Sequence, residues 1–455
     1  MDWQADYAGK RVTAAQALEA VKSGDRVVFA HACGEPLDLV DALVARASEL
    51  RHVEIVHMVA MGKGEYCRPE YAESFFHNSL FVGASTREAV REGRGDYTPV
   101  FFHEIPGLFL NGYLPVDVAL VHLSPPDRHG WCSFGVSVDY TKAAASVAAC
   151  VIAQVNPNMP RTHGDAFIHV SQIDVVVESE QPIIELPPPR IGPVEEAIGK
   201  NIAGLVDDGS CLQLGIGGIP DAVLLFLHEK NDLGIHTEMF SEGVVDLYNE
   251  GVITNARKRL HRDKMVANFL MGTRRLYDFV DDNPAVNMFP VSYVNDPYVI
   301  GQNDGVVAIN SALEVDIMGQ VVADSMGPVQ YTGIGGQVDF VRGAARSRGG
   351  KAIIALPSTA KKGTVSRIVP TIADGAAVTT MRADVDYVVT EHGVAHLKGK
   401  RLRERAEALV EIADPAFRDD LIAGVKHLRG ESWLRRGEKS VARPSAAQPL
   451  QTKRP

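Results

Sequence analysis

Residues 210–243 read SCLQLGIGGIPDAVLLFLHEKNDLGIHTEMFSEG, and this stretch decides the fold. Ser210 to Leu214 is a short, apolar, strand-like run. The loop LGIGGIP follows, then an apolar helical pattern, then a second strand-like run ending on the carboxylate of Glu238. Strand, glycine loop, helix and strand describe one βαβ unit, which returns the second strand beside the first and sets Glu238 near the loop amides. Pro220 suits the first helical position, where its missing N–H costs nothing. The charge of Asp221 then suits the positive end of the helix.

The same alternation runs outward in both directions. RVVFAHA, PLDLVDALVARASEL and HVEIVHMVAM precede the stretch; AVNMFPVSYV, GVVAINSALEVDIMGQV, KAIIALP and DYVVTEHGVAHL follow it. Strands alternating with helices predict an α/β architecture with largely parallel sheets. A weak internal repeat is also visible. GDRVVFAHACGEPLDLVDAL starts at Gly24 and leads to a strand ending at His57 and Met58. GSCLQLGIGGIPDAVLLFL starts at Gly209 and leads to Glu238. Any two βαβ units look somewhat alike; the sharper reading is a duplication giving two similar domains, of which only the second carries the carboxylate. The rigid run LPPPR, with Pro187 to Pro189, marks the boundary, because consecutive prolines favour an extended spacer. The expected division is 1–189, 190–436 and a polar, Pro-rich, disordered tail over 437–455.

Bulk properties narrow the function. The net charge is −11 and no basic run stands outside the last few residues, which argues against nucleic acid. The start of the chain lacks a secretory h-region, and no apolar stretch approaches the ~18 residues of a membrane helix. Cys33, Cys67, Cys132, Cys150 and Cys211 are odd in number and scattered, as in a reducing cytoplasm without disulfides. No metal-ligand spacing is present: His392 and His396 stand four apart, but Gly393 and strand-like neighbours disfavour a helical ligand pair.

GIGGIP, taken alone, is ambiguous. Its glycines permit a tight turn and close ligand approach, and the following helix N-terminus attracts anions. It resembles GxGxxG, with Glu238 near the offset of a ribose-binding acid, so an NAD site is a competitor. Against that, Pro220 replaces the third glycine and removes an amide. A structural strand-to-helix turn is the third reading. A second loop, QYTGIGGQVDF, places Gly333, Gly335 and Gly336 in another glycine turn, followed by KAIIALPSTAKKGTVSRIVP with Lys361 and Lys362. Two glycine loops and two lysines suit a long, polyanionic ligand such as coenzyme A, although lysines in a solvated turn are also ordinary. Glu238 is then a surface carboxylate, a ribose ligand, or a nucleophile needing a dry site and oxyanion donors.

The stretches SPPDRHGWCSFGVSVD, NPNMPRTHGDAFIHVSQID, GIGGIPDAV, HTEMFSEGVVDL, AINSALEVDIMGQV, QYTGIGGQVDF and TEHGVAHL, spread over roughly residues 5 to 435, resemble the acetyl-CoA hydrolase/transferase family. Within it they look most like the 4-hydroxybutyrate and butyrate:acetate CoA-transferases. The resemblance implies two similar open α/β CoA-transferase domains with the active site between them. It makes Glu238 the residue that becomes a glutamyl-CoA thioester. It carries CoA contacts to Gly215, Ile216, Gly217, Gly218, Ile219, Leu313, Gly336 and Lys361. It implies acyl-CoA and small carboxylates as substrates, CoA as the transient covalent adduct, no permanent cofactor and a homodimer. Gln213, just before the first loop, is a candidate for orienting the carboxylate. A short-chain acyl-CoA hydrolase is the nearest alternative; an NAD-binding or non-catalytic nucleotide-binding module is the different-class one.

Overall fold

A computed structural model describes residues 2–431 and 433. The tail expected from Gly437 lies outside the described residues. Two sheets organise the rest. The first has seven strands in the spatial order Val175–Glu178, Cys150–Val155, Val118–Leu123, Arg26–Phe29, Val53–Met58, Phe75–Phe81 and Gly95–Tyr97. Every neighbouring pair in it is parallel. The second has six strands in the order Gly234–Ile235, Cys211–Leu214, Val306–Ser311, Lys351–Ala355, Tyr387–Thr390 and Gly393–His396. Only its last pair, joined by a tight turn, is antiparallel.

The strand sequences explain this packing. Val118–Leu123 and Cys211–Leu214 are buried along their whole length. A strand covered on both faces reads as a continuous apolar run, and parallel sheets require that cover. The expected boundary at Pro187 to Pro189 falls between the two sheets. Both βαβ units found in the sequence are present: Arg26–Phe29, the helix Leu37–Ala45 and Val53–Met58 in one; Cys211–Leu214, the helix Gly218–Leu224 and Gly234–Ile235 in the other.

Three local expectations shift. The second helix begins at Gly218, so Pro220 is its third residue, still within the first turn, where its absent N–H costs nothing. Asp221 lies in the first turn, and there burial holds its pKa above its usual value despite the hydrogen bond from Ser241. The returning strand is only Gly234–Ile235, and Glu238 lies just beyond it in irregular backbone.

The halves are not separate bodies. His163–Gly164 leaves the N-terminal half and adds a strand to Val286–Met288, which pairs in turn with Met265–Ala267. The Asp165 amide donates to the Met288 carbonyl at 2.9 Å, and Leu270 donates to Val136 at 2.9 Å. One apolar core runs from Val28 and Phe134 in the first half to Leu212 and Val307 in the second. The stretches SPPDRHGWCSFGVSVD and NPNMPRTHGDAF thus build the seam between the halves.

Candidate active site

In the second sheet the chain enters at Cys211–Leu214, moves to Gly234–Ile235 on one side, then to Val306–Ser311 on the other. This switch point opens a crevice beyond the strands' carboxyl ends, the usual ligand position in open α/β sheets. Leu214 pairs with Ile309 across it, so the loop Gly215–Ile219 and the segment carrying Leu313 leave neighbouring strands side by side.

Glu238 sits beside that crevice because its flanks are pinned. The Thr237 hydroxyl lies 3.0 Å from the Leu214 carbonyl and 3.2 Å from the Leu214 amide. The buried His236 ring meets the Val294 carbonyl at 2.8 Å. The Glu238 carbonyl accepts from the amides of Asn268 at 3.0 Å and Phe269 at 3.3 Å. With the backbone fixed on both sides, the side chain is directed into the cleft between the halves.

Its carboxylate meets groups that the sequence reading did not single out. Asn295 donates through Nδ2 to Glu238 Oε2 at 2.8 Å. The Asn295 Oδ1 in turn accepts from Asn268 Nδ2 at 2.8 Å, which supports this orientation of the amide. Gly336, from the second glycine loop, brings its backbone up against the same carboxylate. A Cβ built on Gly336 would overlap both Glu238 Oε2 and Asn295 Nδ2, so only glycine fits. Asp339, in the first turn of the helix Gln337–Arg346, stands 3.5 Å from Asn295 Nδ2 and 2.7 Å from His103 Nδ1.

The N-terminal half presses on the second glycine loop throughout. Val82 donates to the Thr332 carbonyl at 3.2 Å, and Phe102 to that of Gly335 at 3.3 Å. The Ile334 amide donates to the Tyr97 hydroxyl at 3.2 Å. A Cβ on Gly333 would stand 2.8 Å from the Phe81 ring. The site therefore lies at the interface of the two halves, with Glu238 from one side and His103 from the other.

Electrostatics follow from this enclosure. Glu238 lies deep in the cleft yet keeps part of its surface open to it. Burial pushes its pKa up to about 8; the Asn295 hydrogen bond opposes this, while the charges of Asp339 and Asp139 add to it. Asp139 is fully buried beside His31, with Nδ1 3.2 Å from its carboxylate. Such a group combines a poorly solvated carboxylate with fixed donors, which suits a nucleophile or an acid–base group.

The remaining expected residues are dispersed around this centre. Gly217 has φ +117°, a backbone that a side chain would strain. Ile216 and Gly217 line a cavity of about 250 Å³ with Pro187 to Pro189, Ser241 and Met271, so the proline run and the first glycine loop border the same space. The partners of the Glu238 carboxylate come from Asn295 and the second loop, not from Gly215–Ile219. Leu313 is half-buried, its amide bonded to Val322. Lys361 is exposed in the turn between Thr359–Ala360 and Val365–Ser366. Gln213 does not orient Glu238: its amide is paired with Asn310, whose Nδ2 donates to it at 3.1 Å. His396 is committed to Asp386 at 3.0 Å and stacks on Tyr387.

Comparison with known proteins gives the family. The acetyl-CoA hydrolase/transferase N-terminal domain matches residues 1–187, and the C-terminal domain of the same family matches residues 272–425. The chain is 60% identical to the 4-hydroxybutyrate coenzyme A transferase of Clostridium kluyveri over 93% of this chain and 98% of that one. It is 40% identical to the butyryl-CoA:acetate CoA-transferase of Anaerostipes caccae over 96% and 99%. The crystal structure of RipA from Yersinia pestis superposes with a TM-score of 0.90 at 40% identity, covering 94% of this chain and 99% of that one. The chain belongs to the acetyl-CoA hydrolase/transferase family and is a CoA-transferase.

Proposed function

We propose that this enzyme moves CoA between a short-chain acyl-CoA and a carboxylate such as acetate, through a glutamyl-CoA thioester at Glu238. The names of its relatives favour 4-hydroxybutyrate or butyrate as the acyl group. The observation that carries the reading is the Glu238 carboxylate, partly open, bonded at 2.8 Å to an Asn295 amide that Asn268 holds in turn, and closed in by a glycine with no room for a side chain.

The cycle is ping-pong. A Glu238 oxygen attacks the thioester carbonyl; the C–S bond breaks, leaving a mixed anhydride and CoA thiolate. The thiolate attacks the Glu238 carboxyl carbon; the anhydride C–O bond breaks and the first carboxylate departs. A second carboxylate attacks the glutamyl-CoA thioester, and the two steps run in reverse. Splitting the exchange in this way replaces one difficult step with easier ones. The Asn295 Nδ2 and the Gly336 amide are the natural stabilisers of charge that develops on the Glu238 carboxyl when CoA attacks it. Gly215, Ile216, Gly217, Gly218, Ile219, Leu313 and Lys361 are assigned to the rest of the CoA chain, with Lys361 free to meet a phosphate. Water must be excluded, or the thioester is lost to hydrolysis. The seam of hydrogen bonds between the halves serves that purpose.

The division into 1–189 and 190–436, the homodimer and the cytoplasmic setting belong to the same reading. The five free cysteines fit a reducing compartment, and among the described residues no helix is long and apolar enough to cross a membrane. The NAD reading is disfavoured because the acid it requires is engaged by Asn295 at 2.8 Å and closed in by Gly336.

Intact-mass analysis after incubation with butyryl-CoA tests the central claim. A CoA-sized adduct is expected on the wild type and absent from Glu238→Ala; an adduct that survives the substitution defeats covalent catalysis here. Adding acetate is expected to accelerate acyl-CoA consumption without releasing free thiol. Full-rate thiol release that ignores acetate would make the protein a hydrolase.

A further inference from the structure

His103 enters the cleft from the N-terminal half, in the turn Phe102–Glu104. Its ring Nδ1 lies 2.7 Å from Asp339 Oδ1, and its backbone amide donates to Asp339 Oδ2 at 3.2 Å. Both oxygens of one buried carboxylate are thus held by a single residue of the opposite half. The line continues from Asp339 Oδ2 to Asn295 Nδ2 at 3.5 Å, and from Asn295 to Glu238 at 2.8 Å. Asp339 is 1% exposed and Asn295 fully buried, so solvent does little to damp charge along this line.

We propose that His103 is a positioning residue for Glu238: its imidazolium screens the Asp339 carboxylate and so sets how readily Glu238 ionises to attack the thioester. This rests on Glu238 being the nucleophile. Two carboxylates sharing a dry site cannot both ionise freely. A cation from the other half lets Asp339 carry its charge without forcing a proton onto Glu238. Burial pulls the His103 pKa down, but the hydrogen bond and charge of Asp339 outweigh it and leave it above the ordinary value. Burial raises the Asp339 pKa, and His103 is the main group opposing that. The other titratable groups facing this line are Glu104 and Asp296 around His103, and Asp139 with its partner His31 beside Glu238. Arg342, one turn beyond Asp339, is engaged with Asp384 at 3.2 Å and leaves the screening to His103. Because the ion pair spans the cleft, Glu238 is tuned only when the halves are properly apposed.

The test is the pH profile of kcat/KM, whose acid limb reports ionisation in the free enzyme. His103→Gln is expected to move that limb up by about one pH unit, a loss of about tenfold at a fixed pH on the limb. Asp339→Asn removes the charge itself and is expected to move it down by about the same amount. The double variant should match Asp339→Asn alone, since no charge remains to be screened. A structural role would lower activity without moving the limb. Limbs that stay in place, or move the same way in both single variants, overturn the proposal. If His103→Gln does not fold, Asp339→Asn decides alone: a limb that fails to fall overturns it. Wild-type adduct formation, measured in parallel, separates the two levels. No adduct defeats Glu238 as the nucleophile; an adduct with unmoved limbs defeats only the role of His103.

Discussion

The two βαβ units each hold a glutamate with a raised pKa, and the fates of those glutamates differ. In the N-terminal unit Glu35 is 1% exposed and accepts through Oε2 from the amides of Met61 at 3.1 Å and Gly62 at 2.7 Å. Burial pushes its pKa up to about 7, in spite of those two bonds. In the C-terminal unit Glu238 is pushed up to about 8, also mainly by burial. The perturbed pKa therefore does not identify the reactive group. What separates them is access: Glu35 is sealed beneath the turn it pins, whereas Glu238 opens onto the cleft with donors that face it. The strand end matching Glu238 has His57, fully buried, bonded to the Ala30 carbonyl at 3.0 Å and the Tyr66 hydroxyl at 3.2 Å. One unit spends its polar groups on holding itself together, and the other presents them.

Substitutions sharpen this contrast. Glu238→Ala should reduce transfer by on the order of 10⁴-fold or more, as loss of a nucleophile does, and steady-state assays with butyryl-CoA and acetate would register it. Asn295→Ala removes the fixed donor and should cost about 10²–10³ in kcat, the range for one oxyanion-type donor. Gly336→Ala wedges Glu238 from Asn295; displacement of about 1 Å at a reacting group costs roughly 10²-fold, here mostly in kcat rather than KM. Glu35→Gln should change activity by less than about threefold, because its effect lies in stability.

The sign of that last effect follows from the pKa. The Glu35 value is raised in the folded state, so the unfolded chain ionises first as pH rises. Stability is greatest below the unfolded carboxyl pKa of about 4.3 and falls as pH climbs towards about 7. The drop over that window is about 3 kcal/mol. Glu35→Gln should remove its own share of the fall in thermal midpoint across this range, leaving that of Glu238. Glu238→Gln should remove the share that extends to about pH 8 and abolish turnover as well. A Glu35→Gln variant that lost turnover would erase the contrast between the two units.

Much of this was legible in the sequence, for local reasons. Runs such as RVVFA and KAIIA are apolar over consecutive positions, as a parallel strand covered on both faces requires. Glu238 stood out through its spacing from a glycine loop, and Gly336 through its own loop. Asn295, Asp339 and His103 were not legible as a constellation, because each looks locally satisfied. Asn295 precedes Asp296-Pro297, and Asp296 does cap the following turn, donating nothing and accepting from Tyr298 N at 2.7 Å. Asp339 is an ordinary acid in a first helical turn. Their convergence depends on contacts across 57 positions for Asn295 and Glu238 and 236 for His103 and Asp339. Gln213 misled for the opposite reason: it is near Glu238 in sequence order along the strands, but a strand side chain points to one face, and that face holds Asn310.

The strand His163–Gly164, contributed by one half to the sheet of the other, has a mechanical consequence. A jaw that opens about a hinge would have to tear those backbone bonds at every turnover. The two halves are therefore tied by backbone as well as by side chains, and parting them at this strand costs the ladder that joins it to Val286–Met288.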